Sequence, residues 1–291
     1  MKNVDFWFIL ARFYSALYGF VKDYFGLHLR GLGFILRKIK TDRILDVNGR
    51  KLYFSHILSE AYSRSLNGRW NEPETHTFVR FILEHVKIVF VEVGANIGEI
   101  LVDISANPFC EKSVAFEPNP FAVSVIEQNL ELNAIKNSHV VAKALGHENT
   151  TQRMYFGSHS PSASLFSIES RNQDGENITV STLDAEFKCS DYHGRNVVLL
   201  IDVEGYELNV VIGGADFIKN CRPLIIFEYH HETRKVFSLD QLQDVLGPDY
   251  EIFRLRQDAF LDSDVENSWN CVAIPRDSEF DSVLRARICK Q

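Results

Sequence analysis

The stretch "NVVLLIDVEGYE" (residues 196–207) joins a continuous apolar run to two acidic residues and a glycine. An apolar run of this length predicts a strand that is buried on both faces of a parallel sheet. Residues i and i+2 of a strand share a face, so Asp202 and Glu204 are expected to point the same way. Because a buried carboxylate without a partner is costly, a ligand or a cation is expected to lie against this pair.

The same apolar texture recurs on both sides of this stretch. Buried strands are predicted over 87–94, 113–120, 139–146, 196–205 and 222–230, with closing strands over 250–256 and 268–275 and an antiparallel pair over 152–157 and 177–187. Helices are predicted over 98–106, 120–133 and 234–246, and from the end of the 196–205 strand to about residue 218. This alternation predicts an α/β fold with a parallel sheet covered on both faces. In such sheets ligands bind beyond the carboxyl ends of the strands.

The chain divides into three predicted parts: a basic, aromatic-rich helical extension over 1–43, a hairpin and helix over 44–86, and the α/β unit over 87–291. In the second part, Asn48-Gly49 lies between two alternating runs and predicts the turn of a hairpin over 43–54. Pro73 suits the first position of a helix that is predicted to run to about residue 86.

The N-terminal extension is predicted to form a helix from about residue 7 to residue 24. Its apolar residues fall three or four positions apart: Leu10, Phe13, Leu17, Phe20 and Tyr24. Residues 1–43 carry a net charge of +5, and the rest of the chain carries −13. A basic amphipathic helix rich in aromatic residues can lie in a membrane interface, so peripheral membrane contact is one expectation. The favoured expectation is that the stripe packs on the rest of the chain or on a second copy in a homodimer.

The composition, net charge and cysteine count limit the class of protein. Apolar residues make up 45% and charged residues 24%, as is typical of a globular protein. The net charge of −8 argues against nucleic acid as the main partner. No uncharged apolar stretch reaches about 18 residues, so no membrane-spanning helix is expected. Five cysteines without a CxxC pair indicate reduced thiols and a cytoplasmic location, with any membrane contact on the inner face.

The first strand of the α/β unit runs into "VEVGANIGE" (residues 91–99). Gly94 and Gly98 allow a tight turn and a close approach of a ligand to the backbone, although a glycine turn alone is weak evidence. Glu117 ends the next strand, 19 residues after Gly98, where an acid can accept hydrogen bonds from both hydroxyls of a ribose. Together these features predict a nucleoside-bearing cofactor. Asn96 stands where a dinucleotide-binding loop has glycine, which disfavours a nicotinamide cofactor.

Two polar pairs end the later buried strands. Asp202 and Glu204 follow one strand, and Glu228 and His230 end the next, in "PLIIFEYH" (residues 223–230). These strands are expected to be neighbours in the sheet, so three acids and an imidazole are predicted to converge in one crevice. Because buried paired acids are uncommon, the convergence favours a functional site over polar strand ends that have no function.

Several motifs together resemble one known family. They are "VEVGANIGE", "AFEPNP", "STLD", "LLIDVEGYELNVVIGGADFI" and "PLIIFEYH". Over about residues 70–275 they resemble the FkbM family of S-adenosylmethionine-dependent methyltransferases. The resemblance implies a Rossmann-like class I methyltransferase fold with a mostly parallel seven-stranded sheet. It also implies O-methylation of a hydroxyl on a sugar, glycan or natural-product acceptor. Glu92 stands where the family often has aspartate, which keeps the charge.

The resemblance further implies roles for individual residues in binding S-adenosylmethionine. The methionine part is assigned to the turn from Gly94 to Gly98, and Glu92 and Asn96 are also expected to be cofactor-binding residues. Glu117 is assigned to the ribose, Ala144 to the neighbourhood of the adenine, and Asp202 to that of the reacting centre.

An alkyl hydroxyl is a poor nucleophile at neutral pH and needs a general base. His230 is the first candidate, because its free pKa lies near physiological pH, and Asp202 is the second. Glu204 and Glu228 are expected to orient the base or to bind sugar hydroxyls. Together with Asp202 they are also the oxygen ligands that Mg²⁺ would take, although no metal is the favoured expectation.

Two other classes of protein stay open. One is a regulator that binds the cofactor with the same fold but has no turnover. The other is a nicotinamide-dependent sugar oxidoreductase, which the glycine pattern disfavours. The serine-rich stretch "GSHSPSASLF" (157–166) is either a lid over the acceptor or a flexible polar connection.

Overall fold

The computed structural model describes residues 6–25, 31–62, 65–154, 175–192, 194–266 and 268–289. The serine-rich stretch over 157–166 lies outside these ranges. The strands are β1 (Arg43–Val47), β2 (Arg50–Phe54), β3 (Ile88–Val93), β4 (Cys110–Phe116), β5 (Ser138–Val141), β6 (Ala144–Leu145), β7 (Thr150–Met154), β8 (Glu176–Ser181), β9 (Asn196–Ile201), β10 (Leu224–Glu228), β11 (Tyr250–Leu255), β12 (Leu261–Asp262) and β13 (Asn270–Pro275). The helices are α1 (Phe6–Phe25), α2 (Leu32–Leu36), α3 (Pro73–Leu83), α4 (Glu99–Ser105), α5 (Pro120–Leu132), α6 (Leu183–Glu186), α7 (Glu207–Ile212), α8 (Ala215–Cys221), α9 (Leu239–Leu246) and α10 (Glu279–Leu284).

The main sheet has eight strands in the order β12-β11-β13-β10-β9-β3-β4-β5. The five strands β10, β9, β3, β4 and β5 run parallel, and β13 lies antiparallel between β10 and β11. The predicted α/β fold with a mostly parallel sheet is therefore confirmed. The predicted number of seven strands is one short, because β12 has two residues and too little length to show a periodic pattern.

Apolar side chains cover both faces of the sheet, as the continuous apolar runs predict. Along β3, Ile88 and Phe90 belong to one buried cluster, whereas Val89, Val91 and Val93 belong to the other. The first cluster also contains side chains of the hairpin and of α3, so residues before 87 share a core with the sheet.

The third predicted strand, over 139–146, is wrong as a single element. β5 stays in the main sheet, but the N–H of Lys143 donates to the carbonyl of Val141 at 2.8 Å and turns the chain. The continuation, β6, pairs with β8 in a separate three-stranded sheet with β7. This break puts Lys143 and Ala144 at the edge of the carboxyl ends of the main sheet.

Three other boundaries differ from the prediction. The strand predicted over 177–187 ends at Ser181, because Thr182 caps α6 by accepting from the N–H of Ala185. The helix predicted to follow β9 is divided into α7 and α8. The helix predicted over 234–246 is a 3-10 turn (Thr233–Lys235) followed by α9, which starts with a capping box of Ser238 and Gln241.

The predicted hairpin is confirmed, and it is tied to the region of the site. β1 and β2 pair antiparallel around Asn48 and Gly49. The N–H of Tyr53 donates to Asn129 Oδ1 at 2.6 Å, and Asn129 Nδ2 donates in turn to the carbonyl of Ile97 at 2.8 Å. The hairpin therefore helps to fix the loop between β3 and α4.

The N-terminal helix is confirmed, but of the predicted stripe only Leu10 packs on the core, Phe13 and Leu17 are exposed, and the side chains of Phe20 and Tyr24 lie outside the described residues. Ala11 is fully buried, and Trp7, Phe8, Leu10 and Tyr14 pack against the first core cluster. A second face is exposed to solvent, with exposed fractions of 65% for Phe6, 53% for Ile9, 68% for Phe13 and 41% for Leu17. Among the described residues, no helix is long and apolar enough to cross a bilayer.

Candidate active site

A cavity opens at the carboxyl ends of β3, β4 and β9. Its lining includes six residues that the sequence singled out for a cofactor or for chemistry: Gly94, Asn96, Glu117, Ala144, Asp202 and Glu204. Four other predicted residues do not line it: Glu92, Gly98, Glu228 and His230. The structure therefore brings most of the predicted cofactor residues together and leaves the others in supporting or adjacent positions.

Gly94 lies where the ends of β3 and β9 come closest. Its φ is +85°, and a Cβ at this position would lie 1.8 Å from the carbonyl oxygen of Asp202. The N–H of Asp202 donates to the carbonyl of Val93 at 2.9 Å. Only glycine leaves room for this crossing, which fixes Asp202 beside the glycine turn.

Gly98 has a packing role. It has a φ of +70° and precedes α4, and a Cβ there would lie 3.1 Å from two side-chain carbons of Ile126. Gly98 thus lets α4 approach α5 closely. The second glycine of "VEVGANIGE" shapes the loop without lining the cavity.

Glu117 is buried at the end of β4 and holds the loop that follows β3. Its Oε2 accepts from the N–H of Asn96 at 2.8 Å, and its Oε1 accepts from the N–H of Asn119 at 2.9 Å. Burial raises the pKa of Glu117 to about 7, and the two N–H donors act against that rise. Each carboxylate oxygen accepts one of these bonds and keeps a further lone pair, so the group can also bind a diol.

Glu92 is buried within β3 and does not line the cavity. Burial raises its pKa well above the ordinary value, and repulsion from Glu72 adds to the rise. Its Oε2 has no hydrogen-bond partner among the described residues.

The turn after β9 corrects the interpretation of its acidic pair. β9 ends at Ile201, so Asp202 and Glu204 are not strand neighbours and the same-face prediction is wrong. The chain reverses through Glu204 at φ +54° and Gly205 at φ +100°. Asp202 and Glu204 both reach the cavity through this reversal.

Glu207, which was not among the predicted site residues, holds that reversal in place. Its Oε1 accepts from the N–H groups of Val203 and Gly205, each at 3.1 Å. Burial raises the pKa of Glu207 to about 7. Its position at the start of α7 was a usable signal, since acidic side chains are favoured in the first turn of a helix.

The predicted convergence of acids and imidazole is found for Glu204, Glu228 and His230, and Glu204 also lines the cavity together with Asp202. β9 and β10 are parallel neighbours, with Ile201 paired to Phe227. Ligand atoms of Glu204, Glu228 and His230 all lie within 4.8 Å of one another. In the sequence analysis the oxygen ligands for Mg²⁺ were Asp202, Glu204 and Glu228, whereas this close group contains His230 in place of Asp202.

Asp202 lies close enough to the other acids for their charges to act on it. Burial raises its pKa well above the ordinary value, and repulsion from Glu228 and then from Glu72 raises it further. Burial likewise raises the pKa of Glu228, with Glu204 as the largest charge contribution. Asp202 is therefore a strong base when it is ionised.

His230 is oriented by the backbone that follows it. Its Nδ1 accepts from the N–H groups of Glu232 at 3.2 Å and Thr233 at 3.3 Å. In the neutral ring the proton then resides on Nε2, which lies 3.4 Å from Oε1 of Glu228. In this orientation His230 is a donor toward the acidic cluster, and its lone pair is engaged by the backbone.

Two further residues belong to the site and were not predicted for it. Glu72 accepts from Asn270 Nδ2 at 2.7 Å and from Thr75 Oγ1 at 3.0 Å, and its charge acts on Asp202 and Glu228. Lys143 lines the cavity and pairs with Glu186 at 2.7 Å. The contacts of Glu72 with Asn270 and of Lys143 with Glu186 join segments far apart in sequence, so no local pattern could reveal them.

The doubly wound sheet, with its cavity beyond the ends of β3, β4 and β9, defines a class I methyltransferase fold. The sequence matches the family model described as the Methyltransferase FkbM domain over residues 92–254, which is more than half of the chain. The protein belongs to this family, and the resemblance noted from the motifs is confirmed. A comparison with curated proteins gives no match.

Three solved structures illustrate the likeness in fold. An FkbM methyltransferase from Methylobacillus flagellatus KT is 17% identical, with a TM-score of 0.44; 64% of this chain and 43% of that one are covered. The tRNA (uracil-54, C5)-methyltransferase of Pyrococcus abyssi, in complex with S-adenosyl-L-homocysteine, is 14% identical (TM-score 0.42; 80% and 44% covered). TYW2 of M. jannaschii, in complex with AdoMet, is 13% identical (TM-score 0.41; 85% and 87% covered). The chain thus spans less than half the length of the first two, and likeness at these identities concerns the fold alone.

Proposed function

We propose that this chain transfers the methyl group of S-adenosylmethionine to a hydroxyl of a sugar, glycan or natural-product acceptor. The observation that carries the proposal is the buried carboxylate of Glu117, held by two N–H groups at a cavity that also contains the glycine turn and Asp202. A carboxylate in this position suits the ribose hydroxyls of the cofactor. Membership of the methyltransferase family supports the reaction class.

In this reaction the acceptor oxygen attacks the methyl carbon, the carbon–sulfur bond breaks, and the hydroxyl proton passes to a base. Because the methyl donor is already activated, alignment supplies much of the rate. We assign the base to Asp202 in preference to His230. Asp202 lines the cavity and its pKa is raised by burial, whereas the lone pair of His230 is engaged by two backbone N–H groups.

The acceptor is then bound by Glu204, Glu228 and His230. Their carboxylates accept from hydroxyls, and the Nε2–H of His230 donates. A polyol such as a sugar has closely spaced hydroxyls that both donate and accept hydrogen bonds, which suits these two carboxylates and the imidazole. Because their ligand atoms lie within 4.8 Å of one another, these groups would contact one part of the acceptor only.

The two other classes of protein, an oxidoreductase and a regulator without turnover, predict different features of the site. A nicotinamide-dependent oxidoreductase needs a glycine-rich dinucleotide loop, and Asn96 lies at the position in question with its N–H engaged by Glu117. A regulator without turnover needs the cofactor cavity but not the acids beside it. Measured methyl transfer separates the regulator from the enzyme.

We expect Glu117→Ala to weaken binding of S-adenosylhomocysteine by at least about tenfold, because two hydrogen bonds to a charged group are lost. Isothermal titration calorimetry measures the affinity. Glu111→Ala, at an exposed position of the same strand, is the matched control and should bind as the wild type does. Equal affinity in all three proteins, or wild-type binding of NAD instead, would refute the cofactor assignment.

We also propose that the exposed face of α1 lies against an anionic lipid surface, such as the inner face of the membrane. Phe6, Ile9, Phe13 and Leu17 fall on one side of the helix and are exposed. The neighbouring residues Arg12, Arg37, Lys38 and Lys40 are exposed as well. Apolar and aromatic side chains beside cations suit a bilayer interface that carries negative charge.

A vesicle sedimentation experiment tests this surface. We expect the full chain to sediment with anionic vesicles and to be released by high salt, since exposed charges are screened within about 8 Å at physiological ionic strength. A triple variant Phe6→Ser, Ile9→Ser, Phe13→Ser should stay in solution, and Phe109→Ser, exposed elsewhere, should behave as the wild type does. A wild type that ignores vesicles, with a triple variant that turns a dimer into a monomer, would assign the face to a second copy instead.

A further inference from the structure

The acidic cluster beside the cavity contains a buried carboxylate oxygen to which no described residue donates a hydrogen bond. Glu228 is 6% exposed, and its Oε2 has no hydrogen-bond partner among the described residues. Its other oxygen, Oε1, lies 3.4 Å from Nε2 of His230. A buried, unpaired carboxylate oxygen is costly, and a ligand that supplies positive charge or a donor would offset that cost.

A second carboxylate faces the same space. Ligand atoms of Glu204, Glu228 and His230 lie within 4.8 Å of one another. Glu204 is exposed, and its backbone has a φ of +54°, a conformation that non-glycine residues rarely adopt. The turn that Glu207 holds therefore keeps a charged side chain beside Glu228 despite their repulsion.

Among the described residues, the charges that act most strongly on Asp202 and Glu228 come from other acids. Glu72, Asp202, Glu204 and Glu207 all act on one another or on Glu228 as like charges. Of the described residues that line the cavity, Lys143 is the basic one, and it is paired with Glu186. The negative charge thus favours a cation from solution.

The orientation of His230 indicates which kind of cation fits. With Nδ1 accepting from two backbone N–H groups, Nε2 carries the proton and is a poor metal ligand. Nε2 instead faces Oε1 of Glu228, as a group that orients a ligating carboxylate would. The ligands from the protein are then carboxylate oxygens, which suit a hard cation that keeps several waters.

We propose that Glu204 and Glu228 bind one divalent cation of the Mg²⁺ or Mn²⁺ type, with Oε2 of Glu228 as a ligand and His230 as a positioning residue. The binding stands on its own, whereas any role in methyl transfer rests on the proposed function. In that role the remaining positions on the cation would be open to vicinal hydroxyls of the acceptor. An acceptor with two adjacent oxygens is therefore the substrate class that this site fits.

Binding of Mn²⁺ to the chelator-stripped full chain tests the proposal, with the loss of the free-ion signal in electron paramagnetic resonance as the readout. We expect one site in the wild type, competed by Mg²⁺. Glu204→Gln and Glu228→Gln should each weaken binding at least about tenfold. His230→Gln should weaken binding less than either, and Glu84→Gln, an exposed acid at the end of α3, should leave the affinity unchanged.

Binding of S-adenosylhomocysteine is measured on the same samples and reports both folding and the cofactor site. A wild type that binds S-adenosylhomocysteine but no Mn²⁺ overturns the metal site and leaves the proposed function standing. Mn²⁺ binding that survives in both carboxylate variants overturns the assignment of ligands. Tight binding of Zn²⁺ or Ni²⁺ that is lost in His230→Gln would make the imidazole a direct ligand and overturn the oxygen-only site.

Discussion

Asp202→Asn is expected to lower the rate of methyl transfer at least about a hundredfold, the usual scale for the loss of a general base. Asparagine keeps the size and shape of the side chain but neither accepts the hydroxyl proton nor carries a charge. The backbone contact of residue 202 with Val93 does not involve the side chain, so the glycine turn should stay intact. Affinity for S-adenosylhomocysteine should therefore change much less than turnover.

The pH dependence of turnover gives an independent readout for the same base. The ionised form of Asp202 is the active one, and burial with nearby acids raises its pKa. Turnover should accordingly rise with pH through that raised pKa and fall as the group is protonated at lower pH. This limb of the profile should disappear in Asp202→Asn.

His230 supplies the comparison that could contradict the assignment. His230→Gln removes the donor toward Glu228 but leaves Asp202 in place, so we expect a smaller loss of turnover than in Asp202→Asn. If His230→Gln abolishes methyl transfer while Asp202→Asn retains it, the imidazole is the base, as first expected from its free pKa. Loss of activity on chelation, restored by Mg²⁺, would show that the cation assists as well.

Much of the architecture could be predicted because it follows from local patterns. Continuous apolar runs such as β3 and β9 specify strands buried on both faces, and their alternation with helices specifies the α/β class. The strands also predict which residues meet at the site, because parallel strands end at the same edge of the sheet. Glu117 and Asp202 could be placed at one cavity for this reason, and both line it.

The errors arose where a few backbone contacts override the pattern. The apolar run that includes Lys143 reads as one strand, but one hydrogen bond to Val141 divides it. Asp202 and Glu204 read as strand neighbours, but Glu207 holds a reversal with two bonds to backbone N–H groups. The alternation of apolar residues does not encode these contacts, which are a backbone bond between residues 143 and 141 and two bonds from backbone N–H groups to the side chain of Glu207.

The buried face of the N-terminal helix could not be predicted for another reason. Spacing alone identifies several apolar stripes on a helix with this many aromatic residues, and only tertiary packing selects the buried one. Ala11 and its neighbours are chosen because a small residue allows α1 to approach the core closely, whereas Phe13 remains on the outer side.

Gly94→Ala is expected to cost the largest amount of folding stability, at least about 3 kcal/mol. One part is backbone strain, since a non-glycine residue at φ +85° costs roughly 1–2 kcal/mol. The other part is steric, because the new Cβ would lie 1.8 Å from the carbonyl oxygen of Asp202 and must push the ends of β3 and β9 apart. Overpacking of this kind typically costs about 1–3 kcal/mol, and backbone cannot move aside as a flexible side chain can.

Two other glycines separate these contributions and serve as matched controls. Gly49 has φ +80° with nothing within 4 Å of its Cβ position among the described residues, so Gly49→Ala reports strain without a clash. Gly213 lacks a positive φ, but its Cβ would lie 1.9 Å from the carbonyl oxygen of Gly146, so Gly213→Ala reports the clash without strain. Thermal unfolding of the three variants should give the largest fall for Gly94→Ala, by about 6 °C or more, and the smallest for Gly49→Ala. Because the clash at Gly94 also displaces Asp202, that variant alone should lose methyl transfer at temperatures where it is still folded. A Gly94→Ala protein as stable as Gly49→Ala would mean that the two strand ends are not held together as the structure has them.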